Sequence, residues 1–261
     1  MTETKETLAI LKARWPEVVF IIALDVLSLS INMSWLILRP REPVPLFNTL
    51  ITLVSLSFAI ITFLLIIGFQ RTVYLEDRKR QSLLVLLREG KHFVLPLVGL
   101  GLIYTLALAC LQILVLWAIK HAAPDLMDTR WGSSLLYQLP STSVRLILMK
   151  PILLIFPLII VLDCSILKSF KMLGRCRLRD ARELIILFLI SLGLPFLWTF
   201  LPSPHGMTIS YYLLPTSHII VGQFIDLMIA VMAIRFVASQ NLIYDNGSKP
   251  LDSQDPLNPS I

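Results

Sequence analysis

SLLVLLREGKHFVLPLVGL, residues 82–100, couples a short basic and apolar segment directly to a long hydrophobic run, and the same unit recurs twice. TLAILKARWPEVVFIIAL begins at Thr7, and SILKSFKMLGRCRLRDARELIILFL begins at Ser165. Each copy leads into two runs of membrane length. The pattern predicts an all-α, polytopic integral membrane protein. Its six transmembrane helices would form three repeats of an interfacial amphipathic helix plus a transmembrane hairpin.

Composition speaks against a globule in water. Hydrophobic residues make up 56% and charged residues 15% of the 261, with a mean hydropathy of +0.78. Soluble domains run at roughly 45–50% apolar and about 25% charged, so this chain has too little polar surface to face water on all sides. The net charge of +6 reads as a device for orientation and for contact with anionic headgroups, not for nucleic acid. Cys110, Cys164 and Cys176 match no zinc spacing and read as packing thiols.

Crossing about 30 Å of hydrocarbon takes roughly 20 apolar residues. Six runs qualify, near residues 18–38, 47–68, 93–119, 144–162, 184–201 and 213–238. Backbone polar groups go unpaired in lipid unless the chain is helical, so helices are expected throughout. The first run is too long for a signal-peptide core and lacks a small-residue cleavage pattern, so it is expected to stay in the membrane. Of the 23 Lys and Arg, 17 fall with the N-terminus, loops 71–91 and 168–182, and the tail, against 6 on the other side. That bias places both termini in the cytoplasm. Residues 1–239 are then the membrane domain. The polar, Pro- and Asn-containing residues 240–261 read as a disordered cytoplasmic tail. On the outer side, residues 120–143 have room for a surface helix around 125–137, between Pro-rich turns at 39–46 and 202–212.

Two sets of residues stand out. On the cytoplasmic segments, Lys168, Lys171 and Arg175 share a helical face opposite Ile166, Phe170 and Leu173, and Leu8, Leu11 and Trp15 form a stripe near the N-terminus. Arg88 and Lys91 flank the middle copy. Basic amphipathic helices of this kind lie among headgroups with cations towards phosphate. Inside the runs, Asp25 shares a stripe with Ser28 and Asn32. Asp226 shares one with His218 and Gly222, with Gln223 one turn away. An Asp at mid-membrane costs about 2.5–3.5 kcal/mol, which makes each a functional suspect. Arg145 and Lys150 read as snorkelling to the outer surface, and Pro151, Pro157 and Pro195 as helix kinks.

The passage PLIIVLDCSILKSFKMLGR from Pro157 resembles a recurring element of the six-helix membrane domain of bacterial glycerophosphodiester phosphodiesterases and related inner-membrane proteins. There a membrane helix runs into an acidic residue, followed by an Ala-Leu-x-x-Ser-aromatic segment. Asp163 takes the acidic place, Ser165-Ile166 the Ala-Leu place, and Ser169-Phe170 the Ser-aromatic place. Ser165 departs from the pattern, and the basic turn 175–182 is long for it. The resemblance implies a bundle in the bacterial inner membrane that lacks the soluble hydrolase barrel of some relatives.

The sequence carries no G-x-S-x-G, H-E-x-x-H or P-loop signature, and no cofactor or metal site is expected. The expected function is a non-enzymatic membrane protein, associated with the envelope, with anionic phospholipid or with a membrane or cytoplasmic partner subunit. A small transporter or permease subunit, with Asp25 and Asp226 as intramembrane polar centres, is the alternative.

Overall fold

A computed structural model describes residues 3–38, 45–76, 78–122, 141–200 and 209–240. Among them the chain forms α1 (Glu3–Ala13), α2 (Trp15–Leu38), α3 (Pro45–Leu75), α4 (Leu83–His92), α5 (Val94–Ala122), α6 (Ser141–Ile147), α7 (Met149–Leu162), α8 (Ile166–Leu173), α9 (Arg182–Phe200) and α10 (Ile209–Ser239). No strand occurs among the described residues. Three stretches, Thr49–Leu75, Val94–Ala118 and Thr216–Ser239, are long and apolar enough to cross a membrane. Together α6 and α7 make a fourth if their 63° bend is bridged. The expected outer-surface helix at 125–137, most of the two Pro-rich turns and nearly all of the tail lie outside the described residues.

The contacts between the helices close into a cycle. The helices that close the three units, α3, α7 and α10, all touch one another. Each short helix lies against a closing helix: α4 on α3, α8 on α7, and α1 on α10. The N-terminal helix thus docks on the last membrane helix, so that the cycle closes.

Burial stops part-way along four of the helices. No described residue of α2 beyond Ile21, of α3 before Thr62, of α5 beyond Leu100, or of α10 before Leu227 is buried. The half that carries the short helices is packed around residues such as Phe69, Leu97, Leu158 and Val231. The other half is splayed, and its leucines and isoleucines, among them Leu53, Leu106 and Ile113, face outward. An apolar surface of that extent marks a face that meets a membrane or another protein.

Three boundaries differ from the sequence reading for physical reasons. The second run does not end at Gly68: α3 continues to Leu75, because α4 folds back along its last turns. The contact there is backbone on backbone. An ideal Cβ on Gly68 would lie 1.8 Å from the Leu86 carbonyl oxygen, and one on Gly90 would lie 2.1 Å from that of Leu64. Small residues permit this approach. In the fourth run, the chain bends at Leu148, just before Pro151. Proline there removes one N–H and crowds the carbonyl four residues back, so of the three prolines Pro151 marks the break. The expected stripe on α1 also divides. Leu11 is buried beside Ile10 and Leu8 stays exposed, because α1 presents one edge to α10, while Trp15 is exposed at the start of α2.

Gly68→Ala should therefore push α4 off α3 and lower stability by about 1–3 kcal/mol or more, as overpacking does. Gly101→Ala, where nothing lies within 4 Å of the added Cβ, should be neutral. Thermal unfolding of the detergent-solubilised variants measures both, and equal midpoints would refute the close crossing.

Candidate functional site

The short helices are held by charged joints, each built where a helix end leaves backbone groups without partners. Arg14, fully buried, stands between α1 and α2. Its Nε donates to Glu17 Oε2 at 2.7 Å and its Nη2 to Thr72 Oγ1 at 2.7 Å, while its guanidinium stacks 4.5 Å from the Phe69 ring centre. The other carboxylate oxygen of Glu17 accepts the Gln81 N–H at 2.7 Å, which ties down the chain entering α4. Arg71 of α3 donates to the Ile160 carbonyl at 2.7 Å, capping the end of α7. Past that end, Asp163 turns the chain at φ 45° and meets His92 of α4 at 3.1 Å.

The third joint closes the cycle. Arg235 of α10 pairs with Glu6 of α1. The Thr4 N–H and hydroxyl both donate to Glu183 Oε2, at 2.7 and 2.5 Å. Those two donations hold the Glu183 carboxyl below its ordinary value, whereas burial, with Glu183 nearby, pushes Glu3 up.

The basic residues named from the sequence are all on the surface. Lys168, Lys171, Arg175, Arg88 and Lys91 are exposed. On α8 the apolar side splits: Met172 is buried and Ile166 and Leu173 pack on the core, but Leu167 and Phe170 are exposed. Phe170 lines an apolar groove of about 230 Å³ between α5 and α7, with Leu100, Tyr104, Pro151 and Ile155 among its walls. Lys150 stands at the start of α7. Its charge reaches Cys176 beyond α8, where burial pushes the thiol up and Lys150 opposes it, because α8 runs back along α7.

The intramembrane polar residues converge. Asp25, Ser28, His218, Gln223 and Asp226 line one cleft of about 420 Å³ between α2 and α10, with Leu29, Ile219 and Gly222. The cleft lies in the splayed half, just beyond the level at which burial stops. Ser191 of α9 donates to Asp226 Oδ1 at 3.1 Å, and Arg145 of α6 acts on the same carboxylate by its charge. Thr62 and Gln223 stand near Asp25, whose Oδ2 is shielded and has no hydrogen-bond partner. The Asn32 side chain lies outside the described residues. Thr62 and Ser191 went unnoticed in the sequence. Their only signal is a hydroxyl within an apolar run.

The fold is that of an α-helical protein with several helices able to cross a membrane. Comparison with models of known protein families, with curated proteins and with solved structures returns no match.

The Glu183 joint yields a pH test. A lowered carboxyl contributes stability in full above its ordinary value of 4.5, and that contribution is lost as the pH falls through the lowered value. A nitroxide placed at Lys5→Cys should become mobile in that acid window as α1 leaves α9. In Glu183→Gln it should be mobile already at neutral pH. A label equally immobile in both proteins at every pH would disprove the latch.

Proposed function

We propose that the chain is a six-span, non-enzymatic protein of the bacterial inner membrane, with both termini in the cytoplasm, that holds anionic phospholipid at its cytoplasmic face. Two further helices support six spans beyond the stretches named above. α2 has 24 residues and α9 has 19, or about 36 and 28 Å of helix at 1.5 Å per residue. The resemblance of the Asp163–Phe170 passage to the phosphodiesterase-associated membrane domain points the same way. It also implies a bundle without its own hydrolytic activity.

The observation that carries the lipid reading is the surface of α8. Exposed Leu167 and Phe170 lie beside exposed Lys168 and Lys171, so one short helix offers apolar side chains to acyl chains and cations to phosphate. Behind Phe170 the groove between α5 and α7 is wholly apolar in its lining and is suited to an acyl chain. The role that follows is lipid handling, envelope organisation or the assembly of a partner subunit on this face.

A second reading, a small transporter or permease subunit, is favoured by the polar cleft. Intramembrane carboxylates are retained where they serve a pathway or a site, and here both lie on one cleft.

The lipid reading is tested by native mass spectrometry of the full-length protein extracted in mild detergent. Wild type should retain phosphatidylglycerol or cardiolipin. Lys168→Gln, Lys171→Gln and Arg175→Gln combined should lose it, at about 1 kcal/mol per cation removed. Equal retention by the two proteins would overturn the assignment of α8.

A further inference from the structure

We propose that the cleft between α2 and α10 binds a small organic cation, a protonated or quaternary amine, with Asp25 as its anchoring anion. This deepens the transporter reading and is independent of lipid contact at α8.

The inference begins with what the cleft offers. Its polar lining is Asp25, Ser28, His218, Gln223 and Asp226: two carboxylates, a hydroxyl, an amide and an imidazole. No Lys or Arg is among the lining residues. Arg145, which faces Asp226 from α6, is the one cation whose charge reaches either aspartate among the described residues. A site with acceptors in excess and net negative charge selects a cation.

The two aspartates are not equivalent. Asp226 is already served by the Ser191 hydroxyl and the Arg145 charge. Asp25 has neutral neighbours, Thr62 and Gln223, and one carboxylate oxygen shielded without a hydrogen-bond partner. A carboxylate so placed in a membrane helix is stabilised when a positive charge reaches it. The missing charge therefore belongs at Asp25.

Size and donor geometry narrow the class. The cleft, at about 420 Å³, falls in the range of small-molecule sites, roughly 300–1,000 Å³, and exceeds what a bare ion fills. No group of three His, Cys, Asp or Glu among the described residues is arranged to hold a metal. An amine suits both facts, because its charge meets Asp25 while its carbon skeleton lies against Leu29 and Ile219, the apolar walls.

The test uses the full-length protein in lipid nanodiscs and two probes, radiolabelled choline and ethanolamine, read by equilibrium binding. Wild type should bind at least one of them saturably. Asp25→Asn should raise its Kd about tenfold or more, the usual result of truncating one partner of a buried charge pair, and Asp25→Glu should restore binding. Gly222→Leu provides a variant that leaves every charge in place. Nothing lies within 4 Å of a Cβ built there, so the protein should fold while the cleft loses room, and binding should fall. The Lys168→Gln/Lys171→Gln protein should lose lipid and still bind amine, which separates failure of the lipid reading from failure of this one. Absence of saturable binding of both probes, or wild-type affinity in Asp25→Asn or in Gly222→Leu, would overturn the proposal.

Discussion

A guanidinium withdrawn wholly from solvent sets the geometry on which the remaining helices depend. Arg14 is fully buried, and a buried charge is tolerated only where partners replace water. Its partners come from two parts of the chain: Glu17 one turn on, and Phe69 and Thr72 from α3. Glu17 passes the constraint to Gln81, at the entry to α4. One cation thereby fixes α1 against α2, α2 against α3, and the start of the next unit. Removing either charge would leave the other buried alone, so the joint behaves as a unit.

The other joints repeat the same physics with different residues. Each unit ends in a membrane helix whose last carbonyls need donors, and each next unit starts with a short helix lying alongside. Arg71 donates to the end of α7, Asp163 uses a left-handed turn to reach His92, and Arg235 reaches Glu6 to join the last helix to the first. The Lys and Arg excess on this side thus has a double role. Some cations, such as Lys168 and Lys171, are left on the surface, whereas Arg14 is consumed in holding the bundle shut.

How much of this was legible follows from whether a feature is local. The short helices could be read because each lies within one continuous segment. The two aspartates could be read because an acid in an apolar run stands out in any single string. That α2 and α10 are neighbours is what turns them into one cleft, and the matched depths of Asp25 and Asp226 gave a hint of it. Arg14 could not be read. In the sequence it is one more basic residue near the N-terminus, and its burial depends on Thr72, 58 positions away. The extension of α3 was hidden for the same reason: Gly68 looks like a helix end until Leu86, from α4, is found lying against it. Of three candidate prolines, the break fell at Pro151, close to where a helix is starting and its hydrogen-bond ladder is weakest.

The level at which burial stops explains why the polar residues lie where they do. On the packed side, α3, α7 and α10 touch and the short helices fill the gaps between them, so a lone carboxylate there would have no route to a compensating partner. On the splayed side the helices diverge and leave two clefts of opposite character. Between α5 and α7 the walls are apolar, and lipid tails can fill the gap at no electrostatic cost. Between α2 and α10 the walls carry Asp25, His218, Gln223 and Asp226, which hydrocarbon cannot satisfy. Asp226 is tied into the bundle by the Ser191 hydroxyl, whereas Asp25 keeps one shielded oxygen without a partner. The cation proposed above would supply that partner from the open side of the cleft.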